Sequence, residues 1–143
     1  MVKLRERGAF VVQAGQTGDP YIRGAYALQG LTNPEQAIAI AGKSDMVITV
    51  DNFLMHAAQL TGTPAIVLWG PTDKSVYGYD GHEHIEAPHD CTVEVCLGAS
   101  APDNYARSCP SETGHCMDKI PISHVLEMYE KLVERRGPWT RRK

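Results

Sequence analysis

An α/β fold built on a Rossmann-like, mostly parallel sheet with flanking helices is what the sequence predicts, and two observations carry that reading. Short β-branched runs alternate with segments of helical periodicity, the pattern of βαβ units. Two of those runs, at residues 46–50 and 65–69, are apolar at nearly every position, as strands buried inside a parallel sheet are. The 143 residues, 43% hydrophobic and 22% charged, suit one compact domain large enough to bury a core, with an irregular segment holding all four cysteines set apart from it.

Each element follows in order. Residues 4–8 read as a helix end just ahead of a first strand at residues 10–13 (Phe-Val-Val-Gln), which stops at the dense turn signal Gly15-Gln16-Thr17-Gly18-Asp19-Pro20. Residues 21–28 carry no decisive pattern. Thr32-Asn33-Pro34-Glu35 opens a helix, with Thr32 as the cap, Pro34 in the first turn where no amide is missed, and Glu35 closing a capping box. Ala37, Ile38 and Ala41 supply its buried stripe, and Gly42 suits its end.

Residues 46–50 (Met-Val-Ile-Thr-Val) predict a strand covered on both faces, ended by Asp51-Asn52. Helical periodicity resumes over 53–60, with Leu54, Ala57, Ala58 and Leu60 as packing residues, and Gly62-Thr63-Pro64 breaks it. The next buried strand, 65–69, runs into Gly70-Pro71-Thr72-Asp73. A short strand is expected at 84–87. From Ile122 the residues Val125, Leu126, Tyr129, Leu132 and Val133 keep helical spacing to Arg136, and Gly137-Pro138 ends the run. The expected organisation is a Rossmann-like core at 1–88, a Cys-rich segment at 89–120, a C-terminal helix at 121–136 packing on the core, and a basic tail at 137–143.

Charge excludes several functions. With 14 Lys+Arg against 17 Asp+Glu the net charge is −3, so no general attraction to nucleic acid or anionic membrane is expected. The basic cluster Arg135, Arg136, Arg141, Arg142 and Lys143 reads as a solvated tail. The apolar runs are about a quarter of a bilayer span, so no membrane-crossing segment is expected. Charges occupy the N-terminus where a signal peptide needs an apolar region, which points to the cytoplasm.

Two loops carry the chemistry, Asp51-Asn52-Phe53 and Gly70-Pro71-Thr72, because each follows a buried strand at the edge where open α/β sheets bind ligands. A helix starting near Asn52 or Phe53 presents unpaired amides and partial positive charge to a phosphate or diphosphate. His56 in its first turn adds a donor. Gly70 lets backbone approach a ligand, Thr72 brings a hydroxyl and Lys74 a charge. Singly, Asp51 also suits a helix cap, His56 a satisfied half-buried histidine, and Gly70-Pro71 a plain turn. Their combination describes a nucleotide-like site.

The run from Asp45 to Thr72 resembles the C-terminal domain of glycosyltransferase family 9, best known for ADP-heptose:lipopolysaccharide heptosyltransferases. The matching pattern is a strand, then Asp51, a few residues, His56-Ala57-Ala58, Gly62-Thr63-Pro64, a second apolar strand and Gly70-Pro71-Thr72. More loosely, the likeness extends from Val11-Val12-Gln13 to the last helix. The resemblance implies the C-terminal, donor-binding half of a GT-B architecture. It places Asp51, Asn52, Phe53 and His56 at the loop and helix start that hold the donor's nucleotide and diphosphate, and Gly70, Pro71 and Thr72 at the second donor-side loop. The partners it implies are a nucleotide-sugar donor, such as ADP-heptose, and an acceptor glycan or protein.

Asn52 and Phe53 stand where the family more often has Ser or Thr and then Gly, and a bulky Phe53 narrows the phosphate approach. The N-terminal acceptor half with its catalytic base, and the Lys-containing loop that opens the C-terminal half, have no counterpart in the sequence. No catalytic base is therefore assigned, and a homo-oligomer or a separate N-terminal half is an expected partner.

Cys91, Cys96, Cys109 and Cys116 give C-x4-C-x12-C-x6-C, with His89 and His115 adjacent. Four thiolates can close a tetrahedral zinc or iron site and hold together a segment with little apolar core. Disulfides in three pairings and four unliganded thiols compete with that reading. Related proteins that heptosylate autotransporters carry a four-cysteine iron site, and the resemblance extends the metal expectation here, in a structural role. Two other functions fit the sequence: a non-catalytic metal-stabilised interaction or oligomerisation module, and another nucleotide-sugar enzyme such as an epimerase.

Overall fold

The computed structural model describes residues 2–88 and 116–136. In chain order these form α1 (Val2–Glu6), β1 (Val12–Gln13), β2 (Tyr26–Ala27), α2 (Pro34–Lys43), β3 (Val47–Val50), α3 (Phe53–Thr61), β4 (Ala65–Trp69), α4 (Lys74–Tyr77), β5 (Glu83–Glu86), a 3-10 turn (Cys116–Lys119) and α5 (Ile122–Arg136). The strands make two parallel sheets, β1-β2 and β3-β4-β5. The fold is thus the expected α/β type. Residues 21–28 hold β2, which pairs in parallel with β1. A two-residue strand with both side chains exposed leaves no periodic trace in sequence.

The larger sheet has two differently packed faces, set by strand alternation. On one, Ala65, Val67 and Trp69 of β4 meet Met55 and Ala58 of α3, all fully buried. On the other, Ile66 and Ile85 pack against Leu132 of α5, joined by Val125, Met128 and Tyr129. The Arg135 guanidinium also pairs with the Glu83 carboxylate, tying α5 to β5.

Local chemistry decides where the helices begin and end. Asn33, not Thr32, caps α2: its Oδ1 accepts from Gln36 N at 2.8 Å, and Gln36 Oε1 accepts from Asn33 N at 3.0 Å. Pro34 occupies the first helical position, so the cap is the residue immediately before it and the box closes at Gln36 rather than Glu35. Nor does Gly42 end the helix. The helix continues to Lys43, and Ser44 closes it with backbone and hydroxyl bonds to Ile40 O. Gly42 instead permits close approach of α3, because a Cβ there would lie 3.1 Å from Thr61 Cγ2. The α3 helix ends at Gly62, whose φ of 65° is the left-handed cap conformation that favours glycine.

Three packing expectations change. β3 is not covered on both faces: Thr49 is buried, while Ile48 and Val50 are 36% and 40% exposed. β3 is the edge of its sheet, and the contacts of α5 fall on β4 and β5. Leu60, expected to pack, is 73% exposed, because α3 buries Met55 and Ala58 toward the sheet and Ala57 beside them, an arc that excludes Leu60. Ile122 is likewise exposed at the start of α5.

Thr63 joins α2 to the start of β4. It is buried, and its hydroxyl donates to Ala41 O at 2.9 Å. Ala41 O also accepts from Ser44 N, so Thr63→Val should leave that carbonyl paired and cost only about 1 kcal/mol in urea unfolding. Met55→Ala should cost roughly 2–5 kcal/mol by opening a cavity under α3. Equal midpoints for the two variants would contradict this division between polar and apolar contributions.

Candidate functional site

The register of the central strands assembles the site. Val50 pairs with Leu68 in the parallel ladder, so the segments leaving β3 and β4 emerge side by side at one sheet edge. The first segment is organised by Asn52. Its Oδ1 accepts from Thr49 Oγ1 at 2.8 Å and from Leu54 N at 2.9 Å, and its carbonyl accepts from Met55 N at 3.1 Å. Asn52 is therefore the cap of α3, and Asp51, half-buried, is not. The cap uses the Leu54 and Met55 amides and leaves the Phe53 amide at the open end of the helix dipole. Phe53 and His56 are both exposed in the first turns of α3.

The second segment starts at Gly70, which is buried. A Cβ at Gly70 would lie 3.0 Å from Met117 Sδ and 3.9 Å from Cys116 Sγ, so its missing side chain makes room for the 3-10 turn. That use differs from the expected close approach to a ligand. Pro71 is exposed and Thr72 half-buried. Asp73 caps α4 by accepting from Ser75 N at 2.8 Å, and hydrogen bonds from the Ser75 side chain and backbone hold its carboxyl below the usual carboxylate range. Lys74 Nζ lies 2.6 Å from Glu86 Oε1, with both side chains largely exposed. Lys74 is thereby tied to the end of β5 rather than to α3.

A polar chain connects the two loops. Trp69, the last residue of β4, donates from Nε1 to His84 Nδ1 at 2.8 Å. An Nδ1 that accepts must leave the proton of neutral His84 on Nε2, and Nε2 lies 3.1 Å from Tyr79 O. The same Tyr79 carbonyl accepts from His82 N at 3.0 Å. From the other end of the residue, the Tyr79 hydroxyl lies 2.8 Å from His56 Nδ1, and the two rings meet edge to face at 5.7 Å. His82 packs perpendicular to the Tyr79 ring at 5.8 Å, is buried, and has no hydrogen-bond partner for either ring nitrogen among the described residues. Burial pushes its pKa below the usual 6.5.

Tyr79, His82 and His84 were absent from the sequence-derived site. They lie in a turn-rich stretch without periodicity, and their sequence signal is a His-x-His pair opening a short strand after a strand that ends in Trp69. Of the four cysteines, Cys116 is half-buried beside Gly70 and makes no disulfide among the described residues, whereas Cys91, Cys96 and Cys109 lie outside them. No helix among the described residues is long and apolar enough to cross a membrane.

A parallel α/β core with two strand-to-loop junctions abreast at its carboxyl edge belongs to the Rossmann-like class of ligand-binding folds. Within that class, the chain belongs to glycosyltransferase family 9 (heptosyltransferase), whose family model matches residues 12–103, spanning β1 through both loops and the Tyr79 network. No curated protein and no solved structure matches the chain. Family membership supports glycosyl transfer as the general activity.

The buried His82 generates a pH prediction. With its folded-state pKa depressed, the unfolded chain takes up a proton as pH falls through 6.5 while the folded chain does not, so stability declines below that pH until the folded-state pKa is reached. His82→Leu removes the titratable ring and should flatten that decline, measured as the difference between wild-type and variant urea midpoints from neutral to mildly acidic pH. Parallel curves would refute it.

Proposed function

We propose that the chain is a donor-binding domain of a glycosyltransferase that holds a nucleotide-diphosphate sugar, ADP-heptose being the first candidate, for transfer to a lipopolysaccharide-type or protein acceptor. The observation that supports this most directly is the side-by-side placement of the α3 amino end, with His56, and the Gly70-Pro71-Thr72 loop, inside the segment matched by the family. In this reading the diphosphate meets the Phe53 amide, the positive end of α3 and His56, while Thr72 offers a hydroxyl from the neighbouring loop. Lys74, paired with Glu86 at the surface, sits after that loop and gains a second anionic partner when the diphosphate is bound.

Sugar transfer with inversion requires a base to deprotonate the acceptor and donors to stabilise the departing diphosphate. The proposed share of this chain is the second. Amide and imidazole donors fixed at the leaving group act without rearrangement as charge develops on it. Asp51 and Asn52 shape the loop, Asn52 by capping α3, and Phe53, with its side chain half exposed, borders the phosphate approach.

Calorimetric titration with ADP, GDP and UDP tests the reading. Selective ADP binding is the expected outcome, and preference for UDP or GDP would change the donor. His56→Ala should weaken ADP binding about ten-fold, the loss of one hydrogen bond to a charged group. Its melting temperature should stay within a degree or two of wild type, because His56 is exposed. A folded chain that binds none of the three nucleotides would overturn the proposal in favour of a structural module.

A further inference from the structure

The Tyr79–His56 contact carries an inference that rests on the donor-binding reading and extends it to a residue outside the two loops. An imidazole has two nitrogens, and Tyr79 occupies one of them, Nδ1, at 2.8 Å. Whichever ligand approaches the amino end of α3, only Nε2 of His56 remains to meet it. A phenol is a strong hydrogen-bond donor, and the unprotonated nitrogen of a neutral imidazole is a strong acceptor. Donation from Tyr79 Oη to Nδ1 leaves the ring proton on Nε2, and an Nε2–H is a donor suited to an anion. With the opposite tautomer, Nε2 would face the same anion with a lone pair.

Tyr79 is itself held from several sides. Its ring packs against the buried cluster of Met55, Ala58, Val67 and Trp69. Its carbonyl accepts from His82 N and faces His84 Nε2, and His84 is fixed by Trp69 at the root of the second loop. The hydroxyl therefore reaches an exposed histidine from an anchored ring. We propose that Tyr79 is a positioning residue: it fixes the orientation and tautomer of His56 so that Nε2–H is presented to the diphosphate, and it links this alignment to the end of β4.

Nitrogen NMR of the full chain in mildly alkaline solution, with His56 signals assigned by their loss in His56→Ala, tests the idea without any ligand. Wild type should show a proton on Nε2 and a hydrogen-bonded, unprotonated Nδ1. In Tyr79→Phe, which keeps the packed ring, the Nδ1 signal should move to the position of an unbonded ring nitrogen. In the same variant ADP affinity should fall about five-fold, as expected for losing one orienting hydrogen bond. A wild-type proton on Nδ1, or His56 signals unchanged in Tyr79→Phe, overturns the proposal whether or not that variant retains full stability. Unchanged ADP affinity in Tyr79→Phe, with wild type binding normally, overturns the positioning role alone. Failure of wild type to bind any of ADP, GDP or UDP overturns the donor reading, and the positioning role falls with it.

Discussion

Parallel pairing of β3 with β4 is the constraint on which the other features depend. A parallel ladder sends both strands out at the same edge, and the Val50–Leu68 pair sets the α3 cap beside the Gly70 loop. That register is strongly specified because a slip by one residue would turn Ala65, Val67 and Trp69 away from α3 and carry Ile66 away from α5. Burial of apolar side chains on two faces thus sets the positions of polar groups that contribute little to stability themselves.

The site is built in two layers. Beneath it, Met55 and Trp69 are fully buried and hold α3 against β4. Above them, the sequence of contacts from Trp69 through His84 and Tyr79 to His56 carries directional hydrogen bonds from the buried core to the exposed histidine. Tyr79 belongs to both layers, with its ring against the core and its hydroxyl at the surface. Gly70 performs a third task, admitting Met117 and Cys116 over the second loop, so the turn that leads into α5 rests on the same edge.

Much of the arrangement was legible in the sequence. β4 is as expected because five consecutive apolar residues between turn signals have few alternatives to a buried strand. The α2 box was expected one residue early, since Thr32 and Asn33 both have capping side chains and only the position of Pro34 in the helix discriminates them. Coverage of β3 was overestimated because apolar composition does not reveal whether a strand is central or at an edge. Asp51 and Asn52 presented the same ambiguity at α3, resolved by the bond from the Leu54 amide to Asn52 Oδ1.

By itself, the sequence determined the α/β alternation, the two strand-to-loop junctions and the likeness to glycosyltransferase family 9, because each of these is written in local pattern and spacing. Tertiary structure alone decided that Tyr79 would reach His56 across 23 residues, that His84 would accept from Trp69 across 15, and that the His82 ring would be buried against Tyr79. Such contacts depend on how strands align and which face each side chain takes. Periodicity records the local conformation of a segment, but the partner of a side chain is set by the register between segments.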